Sequence, residues 1–149
     1  EGDELARPLQ RAIRNTMWES CGVVRNKQRL AQGLEKLGEL KAAAASVDVR
    51  PSAEGYKDLA LALDLRGSLV AAEATIRSAI ARRESRGAHQ RDDHPALDPK
   101  LQVNITLKLN EEGHQVVDKI PVPPVSDELR PWIGAQAQEE LEIEGRLLE

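Results

Sequence analysis

The chain is poor in aromatic residues and in cysteine, and both shortages argue against particular functions. Only 2% of its 149 residues are aromatic, and phenylalanine is absent. Aromatic platforms of the kind that stack single-stranded nucleic acids are therefore not expected. Cys21 is the only cysteine, which excludes an internal disulfide framework and any multi-thiolate zinc or iron–sulfur site on this chain.

Long apolar runs and an excess of positive charge are also missing. No run approaches the roughly 20 apolar residues that span a bilayer, so direct membrane insertion is not expected. The formal net charge is -4 at pH 7, which argues against nucleic acid as a partner. The glycines never form GxGxxG or GxxxxGK, so nothing supports nucleotide binding by this chain alone. The acidic start Glu1-Gly2-Asp3-Glu4 resembles no signal peptide, and a cytoplasmic chain is expected.

Evenly spaced apolar residues predict two helices in the first third of the chain. The first helix, over residues 8–20, is indicated by apolar residues four apart: Leu9, Ile13 and Met17. Gly22 is expected to end it, and Asn26 is placed to cap the next helix because its side-chain oxygen can accept from free backbone amides. That second helix should reach about residue 45, with a stripe of four leucines: Leu30, Leu34, Leu37 and Leu40.

A third helix is expected after a break at Arg50-Pro51-Ser52, where the proline disfavours helix in the residue before it. Leucines lie on more than one side of its first half, which predicts burial between partners: Leu59, Leu61, Leu63 and Leu65. A single seam follows: Leu69, Ala72, Ile76 and Ile80. Arg82-Arg83 should end the helix, with Gly87 as a left-handed cap. The prediction is a mainly α, spectrin-repeat-like, up-down-up bundle over residues 5–98.

Beyond Pro99 the apolar period changes from about 3.6 to 2. Strict alternation over residues 101–109 predicts a half-buried strand, and Asn110-Glu111-Glu112-Gly113 supplies a turn to a returning strand over 115–122. Pro121, Pro123 and Pro124 predict an extended segment after this hairpin. Residues 99–149 are therefore expected to form a β-hairpin, a Pro-rich extension and a short acidic tail helix that could equally fray. Whether the hairpin folds onto the bundle or adds to another sheet stays open.

The segment Arg82–His94 concentrates four arginines, two histidines and two aspartates around Gly87, and three interpretations compete. The first is a metal site, for which the candidate ligands are His89, Asp92, Asp93 and His94. Their spacing matches no recognised site, and adjacent residues would point in different directions. The second is an anion clamp that uses Arg86 or Arg91. The third is structural: arginines satisfy the last carbonyls of a helix and dock neighbouring loops. The structural interpretation is favoured.

Three stretches, in this order and spacing, resemble a known family. The first is Met17-Trp18 followed by Gly22-Val23-Val24-Arg25, and the second is the helix Leu63–Ile80. The third is Glu84-Ser85-Arg86-Gly87-Ala88-His89, followed by Arg91-Asp92-Asp93 and Pro95. Together they resemble the C-terminal domain of the succinate dehydrogenase and fumarate reductase flavoprotein subunits, a family that includes L-aspartate oxidase. The resemblance covers roughly Leu5 to Asp98. The stretch Asp92–Pro95 is more polar than is usual in that family.

The resemblance implies a helical bundle attached to a flavin-binding domain and a capping domain. The dinucleotide fold, the flavin-linking His and the substrate-binding His and Arg of that family lie upstream and have no counterpart here. No catalytic, cofactor-binding or metal residue is therefore expected in this chain, and FAD would belong to the parent protein. That parent would be an oxidoreductase of succinate and fumarate, peripheral at the inner face of a membrane, with an iron–sulfur subunit as partner. Arg86, Gly87, His89 and Arg91 are expected to dock this chain against a neighbouring domain or that subunit.

An alternative of a different class is a stand-alone scaffold or interaction module. The exposed edge of the hairpin and the segment Pro121–Val125 would then recruit partners.

Overall fold

Three helices make up most of the fold. The computed structural model describes residues 4–49 and 56–134. Helix α1 spans Ala6–Cys21, α2 spans Lys27–Ala43 and α3 spans Lys57–Ala81. Each helix packs on the other two, which confirms the predicted bundle. Asn26 caps α2 as expected, since its side chain accepts from the Arg29 amide at 2.8 Å.

The core is built from the predicted helical stripes. Nearly every member is aliphatic, in line with the shortage of aromatic residues: Ala6, Leu9, Ile13, Cys21, Leu30, Leu37, Leu40, Leu65, Leu69, Ala72, Ile76 and Ala79. Leu34 and Met17 pack against this cluster from its edge. Burial raises the pKa of the Cys21 thiol, and the nearby charge of Arg25 offsets only part of that effect. The thiol is therefore a protonated core group.

Two pairs of very short parallel strands tie the bundle together at its two ends. At one end, β1 (Glu4–Leu5) pairs with β3 (Val47–Asp48), next to a 3-10 turn at Ala44–Ser46. At the other end, β2 (Val24–Arg25) pairs with β4 (Gln90–Arg91). The second pair joins the α1–α2 connection to the loop that follows α3. It therefore positions the charged segment singled out in the sequence.

The hairpin forms where the period-2 pattern predicts it and folds onto α3. Strand β5 spans Val103–Leu109 after a 3-10 turn at Pro99–Leu101, and β6 spans Gln115–Pro121. The two are antiparallel, and Gly113 closes their turn at a φ of +79° that favours glycine. The Gln115 side-chain amide donates to the Val70 carbonyl at 2.8 Å, which docks the hairpin on the helix.

Two sequence expectations are wrong in detail. Gly87 does not cap α3, because the helix ends at Ala81 and Gly87 lies in a separate turn farther on. The leucines of the first half of α3 are also not all buried within this chain. Leu65 is 3% exposed, but Leu59 is 39% and Leu63 is 72% exposed, because only one side of this half contacts the bundle.

Some predicted features lie outside the described residues. These are the break at Arg50-Pro51-Ser52 and the acidic tail over residues 135–149. Before the tail, residues Arg130–Trp132 form a 3-10 turn. Among the helices that are described, none is both long enough and apolar enough to cross a membrane.

Candidate functional site: the charged loop after α3

The charged loop, residues Arg82–His94, turns back on itself at Gly87. The Arg86 amide donates to the His89 carbonyl at 2.9 Å, and the His89 amide donates to the Arg86 carbonyl at 3.0 Å. Gly87 has a φ of +56° at the first central position of this turn, a conformation that glycine adopts without strain. The ring of His89 and the side chain of Arg86 are thereby brought to the two sides of one tight turn.

Beyond the turn, the loop is held against the α1–α2 connection by backbone bonds. The Gln90 amide donates to the Val23 carbonyl at 3.3 Å, and the Asp92 amide donates to the Arg25 carbonyl at 3.1 Å. The Ser85 hydroxyl accepts from the Arg91 amide at 2.8 Å and donates to the His94 carbonyl at 2.9 Å. These bonds fix the loop at both of its ends.

Arg91 is buried, with 3% of its side chain exposed, and binds groups of its own chain. Its guanidinium donates to both carboxylate oxygens of Asp93, at 2.6 and 2.7 Å. The remaining amino group donates to the Ala79 carbonyl at 2.8 Å and to the Arg82 carbonyl at 3.2 Å. Arg91 therefore satisfies the open end of α3, and its bidentate carboxylate partner is internal. This geometry fits the structural interpretation and leaves Arg91 unsuited to clamp an external anion.

Glu84 is the fully buried carboxylate at the centre of the loop. Its Oε1 accepts from the guanidinium of Arg82 at 2.5 Å and from Arg86 Nε at 3.0 Å, while its Oε2 accepts from the Asp98 amide at 2.9 Å. Burial alone would raise the pKa of Glu84, but the hydrogen bonds from Arg86, Asp98 and Arg82 outweigh it and lower the pKa. Glu84 is thus a charged group that is paired on both oxygens.

His89 is held in one tautomer by its two ring contacts. Arg25 Nη1 lies 2.7 Å from Nδ1, so Nδ1 accepts, and Nε2 lies 3.2 Å from the Arg82 carbonyl and donates. Burial lowers the pKa of His89; the bond to the Arg82 carbonyl opposes this, and the charges of Arg25, Arg91 and Arg82 add to the lowering. His89 is therefore neutral, and both of its nitrogens are engaged.

Asp92 and Asp93 reach the start of α2 instead of converging with the histidines. Asp93 Oδ2 accepts from the Lys27 amide at 2.9 Å, and Asp92 Oδ2 accepts from the Asn26 side chain at 3.2 Å. The hydrogen bonds from Arg91 hold the pKa of Asp93 far below its usual range, although burial opposes them. An acidic group at this position also suits the positive end of the helix dipole.

The metal interpretation finds no support in this arrangement. Within residues 4–49 and 56–134, no three histidine, cysteine or carboxylate side chains come together as a metal site would require. What the loop does is join the ends of helices: Arg91 satisfies the end of α3, and Asp93 satisfies the start of α2.

Two members of this cluster, Glu84 and Arg25, were not among the candidate site residues expected from the sequence. Glu84 lies two residues from Arg82 and two residues from Arg86, and this arrangement could have indicated an ion-paired carboxylate. Arg25 donates to the Gly22 carbonyl at 2.6 Å as well as to His89, a contact across 64 residues that no local pattern reveals. A groove of about 400 Å³ lies between this cluster and β5, with Arg25, Arg82 and His89 among its lining residues.

Comparison with known proteins relates this fold to one family. The family model described as fumarate reductase flavoprotein C-term matches residues 10–130. The succinate dehydrogenase flavoprotein subunit of Rickettsia bellii is 34% identical over 126 residues, which cover 82% of this chain and 21% of that subunit. The L-aspartate oxidase of Acinetobacter baylyi is 32% identical over 107 residues, which cover 70% of this chain and 18% of that enzyme.

A solved structure shows the same arrangement of elements. Mycobacterium smegmatis Sdh1 in complex with UQ1 superposes with a TM-score of 0.81 at 25% identity. The match covers 91% of this chain and 24% of that one. The chain spans about a fifth of the length of the two curated relatives described above.

Proposed function

Because the chain belongs to the family of C-terminal domains of succinate dehydrogenase and fumarate reductase flavoproteins, we propose that it supports the catalytic domains of such a flavoprotein. It does so from outside the active centre, by packing on the flavin-binding and capping domains and by aiding assembly with an iron–sulfur subunit. The observation that carries this proposal is the match of residues 10–130 to a family model of C-terminal domains. The matched part is about a fifth of the length of the curated relatives.

The flavin of these relatives fits poorly at the helix start nearest to the charged loop. A dinucleotide pyrophosphate needs free amides at a helix N-terminus. At the start of α2, the Asn26 side chain accepts from the Arg29 amide and the Asp93 carboxylate accepts from the Lys27 amide. A phosphate there would displace one carboxylate and face another, Asp92. We therefore assign the flavin, and the hydride chemistry that it supplies, to the part of the protein outside this chain.

Docking is the role that we propose for Arg86, Gly87, His89 and Arg91. Arg91 is buried and acts by holding the loop in shape. The turn at Gly87 and Ala88 is exposed and is the part of the loop that can touch another domain. Arg86, with 33% of its side chain exposed, links that turn to Glu84 and can also meet a carboxylate of a partner. The groove next to His89 offers such a carboxylate a place beside Arg25.

Replacing Arg86 by Ala in the full-length flavoprotein tests this role. We expect weaker association with the iron–sulfur subunit and unchanged turnover of the flavoprotein with a soluble electron acceptor. Native electrophoresis and steady-state kinetics measure the two quantities. Arg83→Ala is the matched control, because Arg83 is an exposed arginine of the same loop. Unchanged assembly together with collapsed turnover would favour the anion-clamp interpretation and overturn the docking role.

A further inference from the structure

Three arginines and a tryptophan lie along one exposed face of α1. Arg7, Arg11, Arg14 and Trp18 are spaced four, three and four residues apart, which places them on the same side of a helix. All four are exposed, and Trp18 is 79% exposed. Tryptophan and arginine are among the residues that most often dominate the binding energy of an interface. We call these four residues the α1 basic face.

The arginines of this face have no acidic partner in the part of the chain that the structure describes. Arg14 donates to the neutral side chain of Gln10 at 3.2 Å, and no ion pair between described residues involves Arg7, Arg11 or Arg14. By contrast, three arginines of the charged loop each bind a carboxylate. The α1 basic face is therefore a concentration of unpaired positive charge in a chain that is acidic as a whole.

The position of these arginines in the helix also favours an acidic ligand. Arg7 and Arg11 lie in the first two turns of α1, near the positive end of its dipole, and no acidic residue lies in the first turn. Carboxylates stabilise a helix at this end, whereas arginines there are unfavourable. A negatively charged partner over this part of the face offsets that repulsion. Residues that break a local rule in this way are expected where a protein has a functional surface.

A groove gives the face a concave part. The three arginines line a groove of about 420 Å³ together with Gln10, Asn15 and Leu61 of α3, and no acidic side chain lines it. The groove thus offers guanidinium and amide donors beside one apolar side chain. A peptide in which carboxylates alternate with apolar residues matches this lining.

The C-terminal segment, residues 135–149, has this composition. Its charged residues are five glutamates and one arginine: Glu139, Glu140, Glu142, Glu144, Arg146 and Glu149. The resulting formal net charge of -4 equals that of the whole chain, so the remaining residues are neutral in sum. Leu141 and Ile143 alternate with the glutamates. The carboxylates of the segment therefore complement the three arginines, and its apolar residues complement Trp18.

The segment is long enough to reach the face. Fifteen residues of extended chain span up to about 50 Å. The 16 residues of α1 span about 24 Å, and the 25 residues of α3, the longest helix described, span about 37 Å. The segment can therefore follow the whole length of α1. Because it is covalently attached, its binding is intramolecular, which favours it over a free partner of the same composition.

We propose that residues 135–149 bind to the α1 basic face, with their glutamates on the three arginines and their apolar residues over Trp18. The inference does not depend on the proposed function. It assigns a ligand within the same chain to a face of α1 that the bundle core, the charged loop and the hairpin leave exposed.

The fluorescence of Trp18 tests the proposal in the 149-residue chain. Trp132→Phe leaves Trp18 as the only tryptophan. Acrylamide, a neutral quencher, should quench Trp18 about twofold less, or lower still, in this parent protein than in a variant that lacks the acidic charges of the segment. That variant carries Glu139→Gln, Glu140→Gln, Glu142→Gln and Glu144→Gln. Salt at 1 M should raise the quenching of the parent in the same direction, because the Debye length falls from about 10 Å at 0.1 M to about 3 Å.

The matched control removes four exposed carboxylates elsewhere and should leave the quenching of Trp18 unchanged. Its substitutions are Glu35→Gln, Glu39→Gln, Glu111→Gln and Glu112→Gln. It separates a local contact from the effect of net charge, which changes by the same amount in both variants.

An exchange of charges tests whether the two parts meet directly. Arg7→Glu, Arg11→Glu and Arg14→Glu should expose Trp18 to acrylamide, and acidic residues at this end of α1 favour the folded helix. Lysine in place of the four glutamates at 139, 140, 142 and 144 should then restore the protection of Trp18 in that variant. Such a recovery is the non-additivity that two contacting groups show.

Three outcomes would overturn the inference. The first is equal quenching of Trp18 in the parent protein and in the variant with four glutamines. The second is a charge exchange that restores no protection. The third is protection that is lost on dilution, because the occupant would then be the segment of a second copy of the chain.

Discussion

Single ionisable residues inside the charged loop carry charges that depend on their partners. Glu84 is fully buried and stays ionised because two arginines and a backbone amide donate to it. His89 stays neutral because it is partly buried and three arginines surround it. A buried ion pair of this kind is weak evidence for added stability, but removal of one partner leaves an unpaired charge. The cluster therefore fixes the shape of the loop at the level of individual side chains.

Stability of the isolated chain should fall when the solution is acidified through the ordinary pKa of histidine. The folded state lowers the pKa of His89, so the unfolded chain binds a proton first as the pH drops. The free energy of unfolding should therefore decrease below about pH 6.5. Because His89 binds a single proton, its contribution to this decrease stays below about 1.4 kcal/mol per pH unit. Glu84 and Asp93, whose pKa values are also lowered, should extend the loss below about pH 4.5.

Urea denaturation at a series of pH values measures this effect. His89→Gln is the control, because glutamine keeps a polar side chain without titrating. In this variant, the free energy of unfolding should lose the decrease that His89 causes between about pH 7 and 5. A slope of the same size in wild type and variant would show that His89 is not responsible.

At the scale of elements, two glycines in α2 give opposite expectations for the same substitution. A Cβ on Gly33 would lie 2.5 Å from Ser20 Cβ on α1 and 3.0 Å from Ile76 Cδ1 on α3, whereas a Cβ on Gly38 would meet nothing within 4 Å. Gly33→Ala should therefore destabilise the fold by about 1–3 kcal/mol through overpacking. Gly38→Ala should stabilise it by about 0.5–1 kcal/mol, because alanine is the better helix former.

Thermal or chemical denaturation of the two variants decides the matter, and each serves as the control for the other. A stabilising Gly33→Ala would mean that α1 and α2 approach less closely than the structure shows. A destabilising Gly38→Ala would mean that this side of α2 is in contact with another part of the chain.

The elements themselves could be predicted where a pattern is local. Leucines at helical spacing indicated the helices, and the alternation of apolar and polar residues indicated the first strand of the hairpin. Asn26 indicated the start of α2, because asparagine is a preferred residue at that position. The place of Gly87 could not be predicted, because a glycine beyond a helix is equally suited to a cap or to a tight turn. The leucines of α3 also did not indicate which side of the helix would pack against the rest of the bundle.

The candidate site was predictable as a cluster but not as a set of contacts. The composition of Arg82–His94 singled out the segment, and the helix-end role of its arginines followed from elementary capping arguments. The contacts that define its geometry join distant parts of the chain. Arg25 meets His89, and Asp93 meets the start of α2, only because β2 pairs with β4.

At the scale of the whole molecule, the two ends of the bundle differ in the side chains that they expose. At one end, the charged loop joins the ends of α1 and α3 to the start of α2 and presents the turn at Gly87. At the other end, the first half of α3 leaves Leu59 and Leu63 exposed. Both features suit a domain that is attached to a larger protein, as the relatives of this chain are about five times longer than the matched region.

The central claim, that this chain is a supporting domain and that the flavin belongs to the rest of the protein, can be tested by reconstitution. The remainder of the flavoprotein would be produced without residues 1–149, mixed with the purified chain and analysed by native mass spectrometry. We expect a one-to-one complex in which the flavin mass stays with the remainder when the complex dissociates. Flavin that stays with residues 1–149 would contradict this claim, and so would a flavin-loaded remainder that does not bind the chain.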